Sequence, residues 1–134
     1  MPPLFTWPVR VYYEDTDAGG IVYYANYLKF FERARTEWLR AAGVGQQSIL
    51  ENHGAGFVVK SVQIDYHAAA RLDDEILLTL AIAKLGRASV IFVQQALRGT
   101  QTLATAHVKV GCIDLATLRP RALPDDAAAK MRAT

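Results

Sequence analysis

Cysteine is almost missing: Cys112 stands alone, so no disulfide can close within the chain and no thiolate cluster can hold a metal. Nothing therefore requires an oxidising compartment. Charge of one sign is also scarce, with a formal net charge of +2 and the Lys and Arg residues scattered, which argues against nucleic acid as the main partner. No apolar run reaches the roughly 20 residues of a membrane span, and Met1-Pro2-Pro3-Leu4-Phe5-Thr6-Trp7-Pro8 lacks the charged start and long apolar core of an export signal. The expectation is a cytoplasmic protein with no transmembrane segment. Hydrophobic residues at 51% against charged residues at 21% lie far from the disordered class. One domain over 1–134 is expected, with about 120–134 as a peripheral C-terminal tail outside the core.

Local patterns then supply the elements. Val9-Arg10-Val11-Tyr12-Tyr13-Glu14 reads as a strand ending at an acidic, glycine-rich turn, Asp15 to Gly20. From about Ala25 to Ala42 apolar residues recur at helical spacing through Tyr27, Phe31, Ala34, Trp38 and Ala41, widened by Leu28, Leu39 and Ala42, and Gly43 fits a C-terminal cap. Glu32 with Arg35 and Arg33 with Glu37 read as solvated pairs on its outer side. Val44 to Gly56 reads as a loop with one turn of helix around Gln46 to Glu51, and His53 within it as solvated. Phe57 to Tyr66 alternates, with Lys60 on the apolar face, where it either snorkels to water or meets an anion. Three further strands, Ile76 to Leu85, Ala88 to Leu97 and Leu103 to Ile113, are joined by connections short enough for antiparallel hairpins. One strand, one long helix and four strands make an α+β pattern, best packed as a curved antiparallel sheet around the helix. The middle strands are apolar on both faces, more than one helix can cover, so a dimer or higher oligomer is expected.

Several chemistries compete for Asp15-Thr16-Asp17-Ala18-Gly19-Gly20. A calcium loop wants a hard ligand at its fifth position and Glu at its twelfth, where this chain has Gly19 and Asn26. An aspartic-protease dyad wants Gly directly after Asp-Thr, where Asp17 stands. A helix N-terminus capped by acids is worth about 1 kcal/mol, and accounts for one Asp more readily than for two Asp and two Gly. The remaining reading sets a carboxylate beside free backbone N–H groups at a helix start. The carboxylate attacks or deprotonates while the N–H groups hold developing negative charge.

The run Asp15 to Tyr27, continuing into Phe30-Phe31-Glu32-Arg33-Ala34-Arg35-Thr36-Glu37, closely resembles the opening motif of the 4-hydroxybenzoyl-CoA thioesterase family of hotdog-fold proteins, nearest its YbgC-like, Tol-Pal-associated branch. Phe57-Val58-Val59, Ala70-Arg71-Leu72-Asp73-Asp74 and Arg119-Pro120-Arg121-Ala122-Leu123-Pro124 extend the likeness over nearly the whole chain. The resemblance implies a hotdog fold, an antiparallel five-stranded sheet wrapped around one long central helix. It implies a homodimer or homotetramer with sites at the subunit interface, an acyl-CoA substrate, no cofactor and no metal. By position, the implied catalytic carboxylate is Asp17, as nucleophile or general base for water, and the polarising N–H is that of Tyr24. Gly19 and Gly20 would allow close approach of substrate, and Asp15 would hold the turn in shape. For CoA, Arg87 and Ser89 match by position at the Gly86-Arg87 hairpin, and Lys60 by proximity. The branch often carries His where this chain has Tyr24. Two rival readings are catalysis by Glu32 or Glu37, and a non-catalytic binder of acyl-CoA or acyl carrier protein working with phospholipid-synthesis enzymes.

Overall fold

In a computed structural model, which describes residues 2–133, the chain runs β1 (Phe5–Arg10), α1 (Asn26–Ala41), α2 (Gln46–His53), β2 (Ala55–Tyr66), β3 (Glu75–Leu85), β4 (Ser89–Arg98), β5 (Gln101–Asp114) and α3 (Asp125–Arg132). The strands form one antiparallel sheet in the order β1-β3-β4-β5-β2. β3, β4 and β5 follow one another through tight hairpins, as their short connections require. β2 pairs with β5 instead of with its sequence neighbour, so the link to β3 must cross from one edge of the sheet to the strand beside the other edge.

Along α1 the buried residues are Tyr27, Phe30, Phe31, Ala34, Arg35, Trp38 and Leu39, one continuous stripe at 3.6 residues per turn. Phe30 and Phe31 are fully buried, each contributing about 1.5–3 kcal/mol of apolar burial. Gly43 follows the helix with φ +79°, and its N–H bonds the Arg40 carbonyl, the left-handed ending anticipated for it. The expected stripe is turned slightly: Leu28 is exposed, while Arg35 lies inside. On β5, Ala104, Ala106, Val108 and Val110 face the core and His107 and Lys109 face out, as their alternation predicts.

Four expectations need correction. The first strand begins and ends earlier than Val9 to Glu14, at Phe5–Arg10. It is an edge strand, so Pro8 is accommodated without a ladder donor, and Tyr13–Asp15 form a single 3-10 turn. The segment 44–56 holds a two-turn helix, α2, closed by Gly54 at φ +61°. His53 is not simply solvated, since its Nε2 lies 3.3 Å from an Asp126 carboxylate oxygen on α3. The tail is not outside the core: Leu123, Ala127, Ala128 and Met131 join the same hydrophobic cluster as α1 and the sheet, and Leu123 N–H bonds the Arg87 carbonyl at 2.9 Å. Among the described residues no helix is long and apolar enough to cross a membrane.

Candidate active site

The chain between β1 and α1 is pinned at both ends before it reaches the acidic turn. Val11 N–H bonds the Asp74 carbonyl at 2.8 Å, and Asp73 N–H bonds the Val11 carbonyl at 3.0 Å. Further on, Val22 N–H bonds the Ala70 carbonyl at 2.8 Å, and Ile21 bridges Arg71. The Ala70-Arg71-Leu72-Asp73-Asp74 crossover is therefore the clamp that holds the turn, which explains a small and acidic sequence there. Arg98 anchors the clamp: its Nη1 donates to an Asp74 carboxylate oxygen at 2.7 Å and to the Ala69 carbonyl at 3.1 Å. Burial works to raise the Asp74 carboxyl, but the Arg71 N–H and the Arg98 guanidinium outweigh it and hold it below the usual range.

Asp15 and Asp17 then separate by environment. Asp15 is 7% exposed; its carboxylate accepts the Tyr12 N–H at 2.8 Å, capping the 3-10 turn. Its carbonyl accepts the Tyr23 N–H and the Asn26 amide Nδ2, each at 2.9 Å. With its own N–H on the Tyr12 carbonyl at 3.0 Å, four bonds tie the residue to both flanks of the turn. Asp17 is exposed, and among the described residues its Oδ1 accepts only the Gly19 N–H, at 2.8 Å. A backbone loop closes around it, with Asp17 N–H to the Ile21 carbonyl at 2.9 Å and Gly20 N–H to the Asp17 carbonyl at 3.0 Å. Gly20 has φ +78°, a conformation that costs other residues about 1–2 kcal/mol. A side chain at Gly19 would bring its Cβ to 3.2 Å from Asp17 Oδ1, so glycine keeps that carboxylate uncrowded.

At the start of α1 the donor pattern changes. Among the described residues neither the Tyr24 nor the Ala25 N–H has a protein acceptor, while the Tyr24 carbonyl accepts the Tyr66 hydroxyl at 2.9 Å. Free N–H groups at the positive end of a helix attract negative charge. The Tyr23 and Tyr24 rings lie 4.9 Å apart. The Tyr24 hydroxyl pushes the Tyr23 phenol above its ordinary value, and the Asp17 charge adds to the effect. Tyr23 and Tyr66 thus belong to the same patch, and neither was singled out from the sequence. Their signal was weak, since a tyrosine at the end of a strand or turn is common.

The remaining sequence-selected residues lie apart. β1 and β3 are antiparallel, with Arg10 opposite Glu75, so the acidic turn sits at the end of the sheet where β3 begins. Arg87 and Ser89 sit where β3 ends, 11 residues along, about 35 Å at 3.2–3.4 Å per residue. Within one chain they do not meet Asp17. Lys60 occupies a β-bulge between Val59 and Ser61. The extra residue turns it away from the apolar face: it is exposed, and its Cε would come 2.8 Å from a Cβ at Gly111. Glu32 is exposed and bonded to the Thr36 hydroxyl at 3.0 Å, and Glu37 pairs with Arg40; neither faces free N–H donors. Among the described residues no cluster of three His, Cys, Asp or Glu could hold a metal.

The profile of the thioesterase-like superfamily matches residues 11–131. A chain named acyl-CoA thioesterase YbgC, from Haemophilus influenzae, is 50% identical over 122 residues, covering 91% of this chain and 90% of that one. The chain belongs to the YbgC-like acyl-CoA thioesterase family. The acyl-CoA thioester hydrolase YbgC of Escherichia coli is 45% identical over 130 residues, 96% of either chain. A probable thioesterase from Bartonella henselae has the same fold, with a TM-score of 0.85 at 35% identity over 89% of this chain and 98% of that one. Membership of this family makes the sheet with its long helix a hotdog fold, as the resemblance implied.

Proposed function

We propose that this protein hydrolyses an acyl-CoA thioester to a free acid and CoA, with Asp17 as nucleophile or general base and the Tyr24 N–H receiving the developing oxyanion. The observation that carries the reading is the contrast within the turn: the Asp15 carboxylate is buried and caps the backbone, while the Asp17 carboxylate is exposed, accepts the Gly19 N–H, and belongs to the turn that leads into the unpartnered N–H groups at the start of α1. The chemistry asks for little more. A thioester carbonyl is electrophilic and a thiolate leaves readily, so one carboxylate and oxyanion donors suffice. As a base, Asp17 would take a proton from water as it attacks the carbonyl carbon. As a nucleophile, it would form an anhydride that water opens. Asp15 holds the geometry, and Gly19 and Gly20 let substrate approach. The backbone donor serves equally with Tyr24 or with the His common in this branch.

The site is completed by a second copy of the chain. Arg87, Ser89 and Lys60 cannot reach the acidic turn of their own subunit, and β2 closes the sheet with a free edge on which Val59 is 50% and Val62 39% exposed. An unpaired apolar edge of this length favours pairing, and a twofold dimer brings one subunit's far hairpin toward its partner's turn. Arg87 would then meet the CoA phosphates through paired N–H donors. The cytoplasm, where acyl-CoA is made and used, is the compartment this reading requires. The test is thiol release across a panel of acyl-CoA substrates, with molecular mass in solution measured on the same sample. Turnover of at least one thioester by an oligomer is expected; no turnover of any, with acyl-CoA still bound, would leave a binding protein instead.

A further inference from the structure

Tyr66 ends β2 opposite Ala104 of β5, and its side chain returns to the start of α1. Its hydroxyl donates to the Tyr24 carbonyl at 2.9 Å, across 42 residues of sequence. The ring is seated edge-on against Tyr27 at 5.5 Å and against Tyr24 at 6.2 Å, and Tyr27 is itself buried. A strand end and two ring contacts therefore fix where the hydroxyl reaches. Burial, with Tyr24 nearby, raises the Tyr66 phenol above its ordinary value, so it stays a protonated donor at neutral pH.

The carbonyl it meets is poorly served by the helix. Leu28 N–H, four residues on, bonds the Ala25 carbonyl at 3.1 Å instead, and the Tyr27 N–H reaches the Tyr24 carbonyl only at 3.4 Å, beyond the usual range of about 2.7–3.2 Å. Among the described residues Tyr66 thus supplies the short bond to that oxygen. A peptide unit is planar and trans, so its C=O and N–H point opposite ways and turn together. The N–H that shares a plane with the Tyr24 carbonyl is that of Ala25, which has no protein acceptor among the described residues. The preceding peptide is held in the same manner: Asn26 N–H donates to the Tyr23 carbonyl at 2.8 Å and so aims the Tyr24 N–H. Two successive N–H groups, each with the carbonyl of its own peptide anchored behind it, leave the helix start side by side. A donor bonded to a peptide carbonyl also polarises that unit and strengthens its N–H.

We propose that Tyr66 is a positioning residue for thioester hydrolysis, its hydroxyl holding the Tyr24–Ala25 peptide so that the Ala25 N–H joins the Tyr24 N–H as a second donor to the oxyanion. This rests on the thioesterase reading and adds a residue to it. As Asp17, or the water it activates, adds to the thioester carbon, the carbonyl π pair moves onto oxygen, and two donors stabilise that charge better than one. The pair returns to the carbon–oxygen bond as the CoA thiolate leaves. Tyr66 touches no reacting atom. Its bond lies within one chain and calls for no exposed surface, so it does not depend on what covers the β2 edge.

The test is Tyr66→Phe, which keeps both ring contacts and removes only the hydroxyl. With hexanoyl-CoA, or the fastest thioester of the acyl-CoA panel where that differs, kcat falls about threefold to tenfold. KM stays within about twofold, because the donor matters most once the charge has formed. The loss is smaller than the roughly 10²–10³ of an oxyanion donor removed outright, since the helix start still presents its N–H groups. An unchanged kcat, or a raised KM at native kcat, overturns the proposal. A second measurement needs no change at Tyr66: in isotope-labelled Asp17→Asn protein, which holds the same thioester without turnover, its addition moves the Tyr24 and Ala25 amide protons downfield together. Movement of the Tyr24 amide alone overturns the proposal, as does an Ala25 shift that adding Tyr66→Phe leaves undiminished. If the native protein hydrolyses no thioester of the panel, the thioesterase reading has failed. The same titration of native protein with hexanoyl-CoA then decides on Tyr66, an Ala25 shift that Tyr66→Phe reduces supporting its hold on that donor, and a shift absent or unaltered overturning it.

Discussion

Asp15→Ala and Asp17→Asn should separate the two carboxylates of the turn into a residue that stabilises and a residue that reacts. Removing the Asp15 carboxylate takes away the acceptor that holds the Tyr12 N–H at 2.8 Å and caps the 3-10 turn; losing such a cap costs about 0.5–2 kcal/mol. For 134 residues, unfolding entropy of roughly 2.1 cal/mol/K per residue converts that to a Tm lower by about 2–7 °C. Asp17→Asn keeps an Oδ1 to accept the Gly19 N–H at 2.8 Å on an exposed residue, so stability should change by less than about 0.5 kcal/mol. Its activity should fall by about 10²–10⁴, the usual contribution of a positioned carboxylate. Thermal melts and thiol release on the same preparations measure both effects. An Asp17→Asn enzyme that still turns over, or an Asp15→Ala protein that melts with the native one, would refute the division of labour.

Three further outcomes follow from the geometry. Gly20→Ala meets no atom within 4 Å but must hold φ +78°, so it should lose about 1–2 kcal/mol through backbone strain alone, visible in a urea titration as a lower midpoint at unchanged slope. Arg87→Ala should raise KM for acyl-CoA with kcat little changed. Mixed with Asp17→Asn chains and left to exchange subunits, it should reach about a quarter of the native kcat/KM if each site of a twofold dimer draws on two subunits; a kcat/KM no higher than that of Arg87→Ala alone would confine the site to one chain. Asp74 is held below the ordinary carboxyl range, so its contribution is fully present above about pH 4 and is lost as pH falls through its lowered folded value. The Tm of Asp74→Asn should accordingly lie below native at neutral pH and converge with it in strong acid, as melts across pH would reveal.

The corrections to the sequence reading share a cause. Arg35 was read as half of a solvated pair because charge usually marks the outer face, yet it lies four residues after Phe31 and eight after Tyr27, on the buried stripe. Gln94 sits in line with Val90, Phe92 and Ala96, all inward-facing on β4; a polar residue in that row signals an internal partner, but only the fold supplies it. Lys60 left the apolar face through a bulge, which alternation alone cannot reveal.

By itself the sequence determined what local periodicity and turn chemistry encode: the span of α1, the hairpins from β3 to β5, the inward and outward faces of β5, and the acidic turn with its two glycines. Family membership was legible for the same reason, because the motif is a contiguous run. Only the tertiary structure decided that β2 closes the far edge, that α3 enters the core, that the Ala70 to Asp74 crossover clamps the turn, and that Asp17 and Arg87 stand at opposite ends of one sheet. Those outcomes depend on which distant surfaces bury one another, a choice made by packing among strands and helices far apart in the chain.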